Sequence, residues 1–130
     1  MGLSAAARKA LLGALASDDP QERAQGAFEL AEGQVRSARS AIEALLGDPV
    51  PLVRGAAALG SWRLGGGADA AAEALIPLLR SRDEEARQLA VHALGRMGNA
   101  AVPALQKAAR GRARHQAAAR RVLAEIQGED

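Results

Sequence analysis

The chain has 130 residues and a formal net charge of +2; 48% of it is hydrophobic, only 2% aromatic, and it holds no cysteine. Those figures fit one domain, exclude disulfides and thiolate chemistry, and exclude a sandwich or barrel, which would need alternating runs of β-branched and aromatic residues. Alanine, leucine and charged residues dominate instead, so the expected class is all-α.

The opening stretch MGLSAAARKALLGALAS is apolar in part, but Arg8 and Lys9 interrupt it, and the ordered regions of a signal peptide are missing. No window reaches the roughly 20 apolar residues that span a bilayer. The expectation is a soluble, cytoplasmic protein without membrane insertion. AARKALLGALA reads as a short first helix, followed by DPQERAQGAFELAEGQV from Asp19 to Val35. That second segment aligns without gaps with DPVPLVRGAAALGSWRL (Asp48–Leu64) and SRDEEARQLAVHALGRM (Ser81–Met97), at spacings of 29 and 33 residues. Each segment reads as a helix. Asp19 and Asp48 are expected caps with Pro20 and Pro49 at the first helical position, and Asp19 with Glu22 and Ser81 with Glu84 have capping-box spacing. Shorter apolar stretches, SAIEALLG and ALIPLLR, precede the second and third copies, and residues 101–127 supply a fourth with its turn near Gly111. The unit is a helix pair, repeated about four times (residues 4–35, 38–65, 70–98 and 100–127).

At helical spacing Val53, Ala56, Ala57, Gly60 and Leu64 share one face, as do Ala86, Leu89, Ala90, Ala93 and Met97. Leu45, Leu79, Leu89 and Leu94 are the expected core leucines. A helix pair cannot bury its apolar face alone, so neighbours must stack to close a core.

Within the second copy, GSWRLGGGAD holds the only tryptophan, Trp62, ahead of a glycine run. The connection that follows is longer than its counterpart by about seven residues, read as an insertion, GGGADAAAE, with Asp69 starting the next helix. Two readings of Trp62 compete. Either the longer connection folds over the indole as a plug, or the indole stands exposed as an interface anchor.

IPLL and VPAL at the start of first helices, with LVRGAAALG and EARQLAVHALGRMG in second helices, make the chain resemble the HEAT-like repeat proteins of the short bacterial type found among phycobilisome lyases. The resemblance implies an α-solenoid of about four stacked HEAT-like helix pairs, with the second helices on the concave face. It also implies a hydrogen-bonded ladder from turn Asp to second-helix Arg. Asp48 and Arg54 match both ladder positions, Asp19 and Arg87 one each, and Gln25 and Ser81 depart, so a broken ladder is expected.

Catalytic signals are scarce. His92 and His115 lie in different repeats without zinc spacing, and Ala93 after His92 departs from the His-Glu pairs of iron-binding HEAT-like hydroxylases. His92 falls in a column, expected to be exposed, with Leu30 and Leu59. Ser61 lacks a nucleophile-elbow context, and Asp83, Glu84 and Glu85 complement a helix dipole. The chain is therefore expected to be no enzyme, to need no cofactor or metal, and to act as a protein-binding scaffold or adaptor whose concave face centres on Trp62, Arg63, His92 and Arg96. An alternative is nucleic-acid or other polyanion binding through Lys107, Arg110, Arg112, Arg114, Arg120 and Arg121, a run of cations with no acid between them. A third reading, from the resemblance, is an auxiliary subunit of a lyase-type enzyme.

Overall fold

The computed structural model describes residues 2–111 and 116–128, and among these every regular element is helical. Helix α1 (Ala5–Ala14) starts where Ser4 Oγ accepts the Ala7 amide at 3.1 Å. Helix α2 (Pro20–Glu32) starts as its sequence predicts, with Asp19 accepting the Gln21 amide at 2.9 Å and Pro20 at the first position. A short α3 (Arg39–Glu43) is flanked by 3₁₀ turns and leads to α4 (Pro51–Arg63). Helix α5 (Ala68–Leu75) continues as a 3₁₀ segment, Ile76–Arg80, where Pro77 removes a backbone donor. Then follow α6 (Glu84–Met97), α7 (Val102–Arg110) and α8 (Gln116–Gln127).

The core runs from Leu15, just past the end of α1, to Val122 of α8, and α1 itself buries no residue. Helix α4 packs against α2 on one side and α6 on the other, and also against α3 and α5, while α6 in turn meets α8. Enclosure from several sides explains why α4 buries every residue from Leu52 to Ser61 except Arg54, which is half-buried. The two predicted faces, Val53 to Leu64 and Ala86 to Met97, are buried throughout. Leu89 and Leu94 belong to the core, and Leu45 and Leu79 pack half-buried against it. Small residues allow close approach: a Cβ added at Gly60 would lie 3.4 Å from the Ala27 carbonyl oxygen of α2.

Three local expectations are corrected. The N-cap of α4 is Val50 with Pro51 at the first position, not Asp48 with Pro49. The N-cap of α6 is Asp83, whose carboxylate accepts the Glu85 amide at 3.0 Å, not Ser81. The longer connection after Trp62 is mostly helix. Gly65 takes φ +96°, its amide bonds the Trp62 carbonyl at 3.0 Å, and the Gly66 amide bonds the Ser61 carbonyl at 2.7 Å. This is a Schellman stop, and a Cβ on Gly66 would lie 2.7 Å from the Ser61 carbonyl oxygen. Gly67 then caps α5, which starts at Ala68, so Asp69 sits in its first turn and the extra residues lengthen a helix. The helical preference of ADAAAEAL outweighs the loop signal of the glycines before it.

Candidate functional site

The second helices share a polar device at their starts that fixes how they correspond. Arg23, Arg54 and Arg87 each donate Nη1 to the carbonyl six residues earlier, on Ser17, Asp48 and Ser81, at 2.8, 2.9 and 2.7 Å. The side chains of Ser17, Asp48 and Ser81 each accept the amide two residues on, from Asp19, Val50 and Asp83. The far ends of the helices agree with this register, because Gln34, Gly65 and Gly98 all take positive φ. Structural spacings are therefore 31 and 33 residues, and the alignment of Asp19 with Asp48 is out by two. Arg23, not Gln25, is the counterpart of Arg54 and Arg87.

Arg23 grips Asp48 with two hydrogen bonds, Nε to Oδ2 at 2.8 Å and Nη2 to Oδ1 at 3.0 Å. Their side chains are only 14% and 6% exposed. Burial alone pushes the Asp48 carboxyl up, but the Arg23 hydrogen bond, the Val50 amide and the charges of Arg23 and Arg54 outweigh it and hold it below its ordinary value. The hydrogen bond to Asp48 likewise raises Arg23 against the opposing cost of burial. At the next turn Ser81 offers no carboxylate.

In the same register Trp62 corresponds to Gly95 and Arg63 to Arg96. Trp62 lies two turns beyond Gly55 on one face of α4, and a Cβ on Gly55 would meet Leu78 and Leu89. The indole is therefore on the flank of α4 that faces the third helix pair, half-buried against the core. Arg63 is also half-buried, while His92 and Arg96, one turn apart on α6, are exposed. The expected exposed column of His92 does not exist: Leu30 and Leu59 are 0% and 3% exposed. Leu30 corresponds to Ser61 in the structural register, and α4 is covered on the Leu59 side. His92 lines a cleft of about 500 Å³ with Leu79, Glu84, Arg87, Gln88, Val91 and Arg121, and Trp62, Arg63 and Arg96 do not line it.

Compared with known proteins, the sequence matches no family model and no curated protein. The surface itself carries the functional reading.

Val91 is the feature that sequence reasoning missed. It is 43% exposed on α6, one of two large apolar side chains so exposed among the described residues. Its signal was present, since Val91 lies off the buried stripe of Leu89, Ala90 and Ala93. Of the cationic run, Lys107, Arg110, Arg120 and Arg121 are exposed, whereas Arg112, Arg114 and His115 lie outside the described residues. Among the described residues no three His, Asp or Glu side chains are grouped to hold a metal ion, and no helix is long and apolar enough to cross a membrane. The Ser61 hydroxyl, buried in α4, is spent on the Ala58 carbonyl at 3.2 Å.

Proposed function

We propose that this chain is a HEAT-like α-solenoid of four stacked helix pairs that serves as a non-catalytic, cytoplasmic protein-binding scaffold. Contacts of α2 with α4, α4 with α6 and α6 with α8, and the arginine tie repeated at three helix starts, support the repeat reading. The observation that carries the binding reading is the outer surface of α6. There Val91, His92 and Arg96 are exposed, beyond the half-buried Trp62 and Arg63 at the end of α4. An exposed apolar side chain on the same helix as an exposed histidine and arginine, with a half-buried tryptophan and arginine on the neighbouring helix, fits the residue types enriched at interfaces.

The test uses a partner recovered by cross-linking from the native cell. Trp62→Ala should weaken that complex by about 2 kcal/mol, as for a central aromatic anchor. Arg63→Ala and Arg96→Ala should weaken it too, and Arg8→Ala on α1 should not. Melting is measured alongside. Unchanged affinity among folded Trp62→Ala molecules makes the indole a plug and removes it from the interface.

A second reading, polyanion binding, is favoured by the exposure of Lys107, Arg110, Arg120 and Arg121. It requires nucleic-acid binding at low salt that falls steeply as salt rises.

A further inference from the structure

Where α4 carries the indole of Trp62, α6 carries no side chain at all. Gly95 occupies the same place relative to the helix start, eleven residues after Glu84 as Trp62 is eleven after Pro51. A Cβ built on Gly95 would meet nothing within 4 Å. The space beside it is a furrow of about 270 Å³ between α6 and α8, lined by Val91, Gly95, Gly98, Val122, Glu125 and Ile126. Val91 also lines the larger cleft, so the furrow and the cleft meet at that side chain.

The two parts differ in character. Around Gly95 the lining is Val91, Val122 and Ile126 together with the carboxylate of Glu125. The cleft presents Arg87, His92 and Arg121 against one carboxylate, Glu84, which already accepts a hydrogen bond from Gln88 at 3.2 Å. Arg87 has one guanidinium nitrogen tied to the Ser81 carbonyl at 2.7 Å, which fixes the direction of its charge. Arg121 also lines the adjoining hollow with Arg80, Ala117 and Ala118. Three aliphatic side chains around a missing one, beside the tied guanidinium of Arg87 and the exposed Arg121, complement a segment that pairs one large apolar residue with carboxylates set on the Arg87 and Arg121 side, away from Glu125.

We propose that the α6–α8 furrow binds an acidic peptide segment of a partner protein, inserting one aromatic or leucine side chain over Gly95 and placing neighbouring carboxylates against Arg87 and Arg121. The proposal rests on the protein-binding reading above and names the chemistry of the partner. It adds to that site a second contact at Gly95 and Val91, which Trp62 does not line, so a short peptide held there is read apart from the Trp62 contact of the whole partner.

The probe is a displayed library of random dodecapeptides selected on the intact protein, with the best sequence synthesised and its affinity read by fluorescence anisotropy. Selection should enrich an aromatic residue or leucine flanked by Asp or Glu. Gly95→Trp, which fills the furrow from within, and Val91→Glu, on an exposed position, should each weaken the peptide by about tenfold or more, while Trp62→Ala leaves it unchanged. Arg121→Glu should weaken it and steepen the loss for peptides with more carboxylates. Enrichment of basic or featureless sequences, no enrichment, or peptide affinity indifferent to both Gly95→Trp and Val91→Glu overturns the proposal. A cellular partner that ignores Gly95→Trp and Val91→Glu yet is lost with Trp62→Ala and Arg96→Ala also overturns it, and leaves the scaffold reading standing. If Gly95→Trp fails to fold, Val91→Glu and Arg121→Glu decide alone.

Discussion

Two alanine substitutions of helix glycines should change stability in opposite directions. Gly95 lies inside α6 with open space where a Cβ would stand. Replacing it with alanine removes backbone freedom from the unfolded chain and should stabilise by about 0.5–1 kcal/mol. Unfolding entropy of about 2.1 cal/mol/K per residue gives about 0.27 kcal/mol/K for this length, so Tm should rise by about 2–4 °C. Gly26 lies inside α2, but its Cβ would stand 3.1 Å from the Leu11 carbonyl oxygen and 3.3 Å from both Ala14 Cβ and Leu15 Cδ2. Backbone of α1 must move to admit it, and overpacking of that kind costs about 1–3 kcal/mol against the same propensity gain. Gly26→Ala should therefore lower stability, by about 0.5–2 kcal/mol. Urea denaturation followed by circular dichroism, with slope and midpoint fitted separately, reads both changes. Equal shifts of the same sign would refute the assignment of the two helix faces.

Leu94, fully buried on α6, should cost about 2–5 kcal/mol when truncated to alanine, read by the same denaturation. Gln34 holds φ +57° where its counterparts are glycines, so Gln34→Gly should stabilise by about 1 kcal/mol; a loss would show that its side-chain bond to the Ala31 carbonyl outweighs the strain. The folded-state value of Asp48 lies below its unfolded value of 3.8, so its contribution is present above that pH and is lost as pH falls further. Asp48→Asn should flatten the stability curve below about pH 4 relative to the original chain, and parallel curves in that window would remove the Arg23 pair from the account.

Helix existence and buried faces were legible because both are local. The i, i+3, i+4 spacing of Ala86, Leu89, Ala90, Ala93 and Met97 needs nothing beyond the helix itself to declare its inner side. The register between copies was not local. Asp19-Pro20 and Asp48-Pro49 are the same dipeptide, but Asp48 holds the place of Ser17 and Ser81, accepting the Val50 amide so that the helix begins at Pro51, and its carboxylate is also bonded to Arg23, 25 residues earlier. That pairing required a neighbouring helix to be in place. The polar positions Glu22, Gln25 and Glu29 show the same dependence. In the structural register they correspond to Val53, Ala56 and Gly60 of α4, the flank that α2 covers.

The candidate site was legible as composition but not as shape. Trp62, Arg63, His92 and Arg96 are conspicuous residue types, and the first two proved half-buried. Val91 and Gly95 are ordinary residues whose meaning comes from what stands opposite them. Gly60 and Gly95 both lie within helices, yet one faces the Ala27 carbonyl and the other faces open space. In the first case the missing side chain lets two helices meet, and its loss of helix propensity is offset by packing gained along α2 and α4. In the second no neighbour uses the space, so the same propensity cost has no compensation within the folded chain. An uncompensated helix glycine beside Val91, Val122, Glu125 and Ile126 is therefore where a side chain brought by a partner would fill space that the folded chain leaves open, which makes Gly95→Trp a probe independent of Trp62→Ala.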